Sequence, residues 1–109
     1  MHELGITRNI VSIVSEQAHG AKVTDVTVEI GKLSGIMPDA VRFCFEVVSQ
    51  GTSLEGATLH IREVPGQASC RTCGITFPLD ELYHSCPCGS QHITCLSGEE
   101  LNIKDMVIM

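Results

Sequence analysis

The sequence predicts an α+β domain, a small three-stranded sheet with two helices, carrying a cysteine-rich module inserted before the last strand. Three observations predict it. Apolar residues recur at helical spacing over 4–18 and 38–50. They alternate with period two over 23–33, 58–64 and 101–108. Four cysteines fall in two close pairs between the last two of these stretches.

Leu4, Ile6, Ile10, Val11, Ile13, Val14 and Ala18 give the first helix its apolar side, and His19-Gly20 ends it. In the first strand Thr24, Val26, Val28 and Ile30 share one face, with Asp25, Thr27 and Glu29 on the other. Ser34-Gly35 marks a turn. Pro38 suits the start of the second helix, where a missing N–H goes unnoticed; Asp39 suits its positive end and Gly51 its stop. Val41, Cys44, Phe45 and Val48 form the buried stripe of that helix, which makes Cys44 a core residue rather than a ligand. Thr58–Val64 sets Leu59 and Ile61 against His60 and Arg62, and Pro65-Gly66 breaks it. The module itself holds two short apolar pieces, Ile75–Leu79 and Ile93–Leu96.

Leu101, Ile103, Val107 and Ile108 make the last strand, with an awkward step at Lys104-Asp105 that a bulge would absorb. Strand, helix, strand is a βαβ unit with a right-handed crossover. The last strand is too apolar to hang free and returns to the same sheet. The expected division is 1–66 with 97–109 as one domain and 67–96 as the insertion. Pro65-Gly66 and Ser97-Gly98 are the joints, able to let the insertion move.

The formal net charge is −6, and the chain has no Trp, three Phe and one Tyr. Arg71 is the one basic residue between Gly66 and Cys95. That balance repels phosphate backbones and argues against nucleic acid. No stretch has the charge and apolar order of a signal peptide, and no run is long enough to span a membrane. The expected location is the cytoplasm. In a reducing compartment cysteine pairs read as metal ligands rather than disulfides.

Cys70-Arg71-Thr72-Cys73 has the spacing that turns two thiolates onto one ion, and Cys86-Pro87-Cys88 is one residue tighter. Gly74 and Gly89 follow to relieve each turn. Residues 74–85 between the pairs are enough for a hairpin that unites them. The reading is a closed, structural four-cysteine Zn²⁺ site in a zinc-ribbon-like module, with no open position for water or substrate. With four thiolates on Zn²⁺ the net charge becomes roughly −8. An iron knuckle or a redox C-x-x-C are the competing readings, and Cys95 or His84 are the substitutes if the tight pair cannot close.

Met1-His2-Glu3 offers a different site, an open one. An amine, deprotonated amide nitrogens and an imidazole are donors that Ni²⁺ and Cu²⁺ take in a square plane. The His2 amide closes one chelate ring with the Met1 amine and another with its own imidazole, and the Glu3 amide offers a third. These cannot all lie cis to the His2 amide, so a donor from elsewhere has room. Bulky His2 should also keep Met1 from removal. His19, His60, His84 and His92 read as surface or capping residues.

Taken together, these residues resemble the HypA/HybF family of hydrogenase nickel-insertion proteins. The likeness runs from Met1-His2-Glu3 through Val28–Gly35 and Arg42–Val48 to both cysteine pairs and Ser97–Leu101. It implies an α+β nickel domain with an inserted zinc domain. It implies a nickel metallochaperone, not an enzyme, that delivers Ni²⁺ for [NiFe]-hydrogenase maturation. Partners would be a nickel-handling GTPase of the HypB type and the hydrogenase large subunit, with the chaperone a monomer or homodimer. Carried over by position, nickel falls to His2, with Glu3 and the Met1 terminus beside it, and zinc to Cys70, Cys73, Cys86 and Cys88. One departure bears on zinc geometry: the family's second knuckle is C-P-x-C-G, whereas here it is Cys86-Pro87-Cys88-Gly89. Some family members add a histidine just after that knuckle, and His92 stands about one position away from it. No nucleophile–base pair or phosphate-binding glycine loop is visible. Two other function classes compete, a zinc-ribbon protein-interaction adaptor without nickel transfer and a thiol redox enzyme.

Overall fold

A computed structural model describes residues 2–81 and 84–109, with His2 described by its backbone alone. The element order is α1 (His2–Gln17), β1 (Val23–Gly31), α2 (Pro38–Val48), β2 (Thr58–Val64), β3 (Gln67–Cys70), β4 (Thr76–Pro78), β5 (Ile93–Ser97) and β6 (Leu101–Ile108). Two three-stranded sheets result, ordered β2-β1-β6 and β4-β3-β5. This is the α+β architecture read from the sequence, two helices with a three-stranded sheet and an inserted ribbon.

The chain forms two compact units, Met1–Glu29 with Ile36–Arg62 and Asn102–Met109, and Ile30–Gly35 with Glu63–Leu101. In the first unit α1 packs against α2. Ile10, Val11, Val14, Val26, Val28, Val41 and Phe45 are buried there, as the spacing predicts. Three expectations differ. Ile13 is 48% exposed, because it sits between the buried Ile10 and Val14 on the flank of the apolar face. Cys44 is half-buried rather than buried, at the edge of its stripe. The first helix begins two residues earlier than residue 4, and Glu3 both accepts the Thr7 hydroxyl at its carbonyl (2.6 Å) and caps the Met37 N–H with its carboxylate (3.1 Å).

Strand directions follow from the contacts at their ends. Asp25 meets His60 and the Lys32 N–H meets the Val64 carbonyl, so β1 and β2 run the same way. The Met109 N–H meets Lys22 and the Gly31 N–H meets Glu100, so β6 runs opposite to β1. On β6 the half-covered positions are Ile103 and Met106, three apart, so the alternation changes phase across Lys104-Asp105.

The second unit contains a strand the periodicity did not reveal. β3 is only four residues, with Ala68 and Cys70 inward and Gln67 and Ser69 half-covered. It is the central strand, antiparallel to β4 (Ala68↔Phe77) and to β5 (Ala68↔Cys95). Ala68, Cys70, Phe77, Leu79 and Cys86 form its core, with Leu33, Ile93 and Cys95 packed around them. The residues expected to be hinges are instead crowded and bonded. A Cβ on Gly98 would lie 2.7 Å from Gly66 Cα and 2.8 Å from Leu33 Cδ1, and one on Gly31 would overlap the Gly98 carbonyl. The Leu33 N–H donates to Gly98 (2.7 Å), the Leu79 N–H to Gly66 (3.0 Å) and the Ser97 hydroxyl to Pro65 (2.9 Å). Glycine is there because backbones pass too closely for a side chain.

Candidate metal centres

β3 ends on Cys70, and the chain at once turns back. The Cys70 N–H donates to Ile75 and the Gly74 N–H to Cys70, 2.9 Å each, closing a tight knuckle with Gly74 at φ 81°. Inside this turn the amides of Thr72 and Cys73 both point at Cys70 Sγ, 3.4 Å away. The second knuckle repeats the design on a shorter chain. The Gly89 N–H donates to Cys86 (2.8 Å), the Cys86 N–H to Ser90 (2.9 Å) and the Cys88 N–H to Cys86 Sγ (3.4 Å). The turn closed by the Gly89 N–H and the Cys86 carbonyl carries Cys88 within it, and Gly89, at φ 94°, continues the bend to Ser90. A hydrogen bond between the Thr72 and Ser90 hydroxyls (2.8 Å) ties one knuckle to the other. The sequence reading missed these two residues; their position beside a knuckle cysteine and just after Gly89 was the available signal.

The four sulfurs lie within 4.8 Å of one another. Cys70 and Cys88 are 3.8 Å apart, Cys73 and Cys86 3.6 Å. A tetrahedron with metal–sulfur bonds of 2.3 Å has edges of about 3.8 Å. The donor set therefore fits a Zn²⁺-sized tetrahedral ion. Cys70 and Cys86 are buried, Cys73 and Cys88 exposed. The inner pair is electrostatically split. The Cys73 amide, with help from that of Thr72, pulls the Cys70 thiol down to about 6, while burial pushes Cys86 up to about 12.

The other candidates stand apart from this group. His84 and His92 are exposed, and Arg71 donates its N–H to the His92 carbonyl (2.8 Å). Cys95 packs beside the module core and its thiol faces the Ser97 carbonyl (3.3 Å); burial, with Glu99 nearby, raises it. Cys44 belongs to α2. At the other end of the chain, His2 and Glu3 are the first two residues of α1. Both amides therefore fall in the first helical turn, at the positive end of the helix dipole. Met1, the third nickel candidate, lies outside the described residues.

A family model described as hydrogenase/urease nickel incorporation, metallochaperone, hypA, matches residues 1–108. The chain is 59% identical over 108 residues to a hydrogenase maturation factor HypA of Nostoc sp., covering 99% of this chain and 96% of that one. It is 46% identical over 109 residues to that of Geobacter metallireducens, covering 99% of each. Two solved structures share the fold. The solution structure of a HypA protein superposes with a TM-score of 0.73 at 23% identity, over 100% of this chain and 97% of the other. That of the Ni metallochaperone HypA from Helicobacter pylori gives 0.68 at 20% identity, over 98% and 97%.

Proposed function

The chain belongs to the HypA family of hydrogenase/urease nickel-incorporation metallochaperones, maturation factors rather than catalysts, and we propose from that premise that it carries Ni²⁺ at its amino-terminal end. The observation that supports this is the position of His2 and Glu3 at the very start of α1. Their amide nitrogens lie in the first turn of the helix. Once deprotonated they are anions at the positive end of the helix dipole, which stabilises them. With the His2 imidazole and the Met1 amine they make a nitrogen set suited to a square-planar late first-row ion. Because each donor must lose its proton first, the cargo is held at neutral pH and loosened by acid. A docking partner that competes for one donor would release it.

Zinc, in this reading, sits in the 67–96 module on Cys70, Cys73, Cys86 and Cys88. When bound there it supplies a fixed crosslink and no reactive position, because four protein ligands close the tetrahedron. The N–H groups of Thr72, Cys73 and Cys88 compensate thiolate charge on the two buried sulfurs. The 1–66 and 97–109 portion would carry the nickel. A GTPase of the HypB type would drive the hand-over to the hydrogenase large subunit, in the cytoplasm.

The test is a calorimetric Ni²⁺ titration of untagged, zinc-loaded protein beside His2→Ala. The expected result is about one nickel per chain in the parent, lost in the variant with zinc retained. Equal binding by both proteins would remove His2 from the mechanism and favour a zinc-ribbon adaptor.

A further inference from the structure

The first knuckle is bound to the stretch that follows the second. The Arg71 N–H donates to the His92 carbonyl (2.8 Å), and the Arg71 Nε–H to the Thr94 hydroxyl (2.9 Å). These contacts do not reach the second knuckle itself. Among the described residues, the Thr72–Ser90 hydroxyl pair (2.8 Å) is the hydrogen bond that joins knuckle to knuckle without using a sulfur. Ser90 is held from both sides. Its carbonyl accepts the Cys86 N–H (2.9 Å), and its hydroxyl oxygen accepts the His92 N–H (3.1 Å). The second knuckle needs such a tie more than the first. Two amides point at Cys70 Sγ, but a single one points at Cys86 Sγ. With one residue fewer between its cysteines, that loop fixes less of its own geometry. Yet its sulfurs meet those of the first pair at 3.8 Å and 3.6 Å, close to tetrahedral edges of about 3.8 Å.

We propose, on the zinc and nickel readings above, that this hydroxyl pair is a latch. It holds the folded module at tetrahedral spacing, so that the four sulfurs keep Zn²⁺ against the Ni²⁺ cargo. Thr72 and Ser90 are positioning residues, acting through the cysteines of their own knuckles. Zn²⁺ has no geometry imposed by its d electrons and accepts the tetrahedron as it stands. Ni²⁺ favours tetragonal sites, and sulfurs fixed in a tetrahedron deny it one. An ion that takes the tetrahedron leaves the latch closed; one that flattens the cage must break it. A chain that carries nickel beside four thiolates has a use for this barrier, because affinity alone separates the two ions poorly.

The experiment is a Ni²⁺ titration of zinc-loaded, full-length His2→Ala protein at buffered free zinc. It is read by nickel–thiolate charge-transfer absorption and by zinc released. The His2 change removes the competing amino-terminal site. Thr72→Val and Ser90→Ala, each added to it, should raise the constant for nickel replacing zinc by about fivefold. Combining them should raise it no further, because both delete one bond. Thr72→Ser keeps the hydroxyl and should restore the parent value. Thr76→Val, the same change on β4 outside both knuckles, should not move it. An unchanged exchange constant in the two single variants overturns the proposal, as does failure of Thr72→Ser to rescue. Zinc lost from the variants without nickel–thiolate absorption overturns it too, since a contact that only stabilises the module weakens both metals alike. Protein that holds no zinc before nickel is added overturns the four-cysteine reading instead.

Discussion

The two buried sulfurs set how the metal-free chain competes for protons. Backbone amides lower Cys70 to about 6, so it is ready to take an ion, whereas burial holds Cys86 up to about 12. Zn²⁺ must expel the Cys86 proton on entry, with any other the four thiols still carry, so affinity should rise with pH from 6 to 8. Below about 6 the Cys70 proton joins the competition, and the slope should steepen. A competition titration with a chromophoric chelator at stepped pH measures both limbs; a flat profile would contradict the assignment of Cys86 as a ligand. Cys86→Ser should lower zinc affinity by orders of magnitude, whereas Cys95→Ser, outside the sulfur group, should leave it within about twofold, zinc per chain being the readout. The first cysteine pair was legible because its spacing fits one ion. The second left Cys95 and His84 open as substitutes, since spacing along a chain does not say where a sulfur points. The turn closed by the Gly89–Cys86 and Cys86–Ser90 bonds supplies that direction, and neither bond is written in a one-letter string.

Among the elements, those with long apolar repeats were read correctly in kind, and β2 in its limits, Thr58–Val64. β3 was not read, because with four residues and only Ala68 and Cys70 inward it has too little alternation to register. Leu54, fully buried, was missed for a related reason: it lies in the irregular turn between α2 and β2, where no period singles out a core position. The expected hinges turned out crowded because Pro and Gly signal a bend in either a loose or a tight crossing. Gly98→Ala should show which this is. With φ at +111° and a Cβ 2.7 Å from Gly66, it should cost more than about 2 kcal/mol in urea unfolding of the zinc-loaded protein. A cost below half that would mean the crossing yields. At the start of α1, Glu3→Ala should remove the cap on Met37 and lower stability by about 1 kcal/mol. It keeps the backbone nitrogen, so nickel stoichiometry should be unchanged by calorimetry.

At the scale of the whole molecule, one compact unit holds a conventional core and the other depends on a small one built around Cys70 and Cys86. The core of so small a unit contributes only about 3–5 kcal/mol at best, so a crosslink matters. Chelation of zinc should therefore unfold the ribbon while the helices, which belong to the first unit, persist. Circular dichroism at 222 nm should keep most of its amplitude while amide exchange accelerates across 67–96; a collapse of both would show the units to be thermodynamically one. The pattern of two covered and two uncovered sulfurs also has a kinetic side. This centre has a single doorway. A competing chelator or an alkylating reagent would begin at Cys73 or Cys88, and Cys70 and Cys86, being covered, would be reached last. If an ion is held there, its loss would be slowed by how rarely the buried sulfurs meet water.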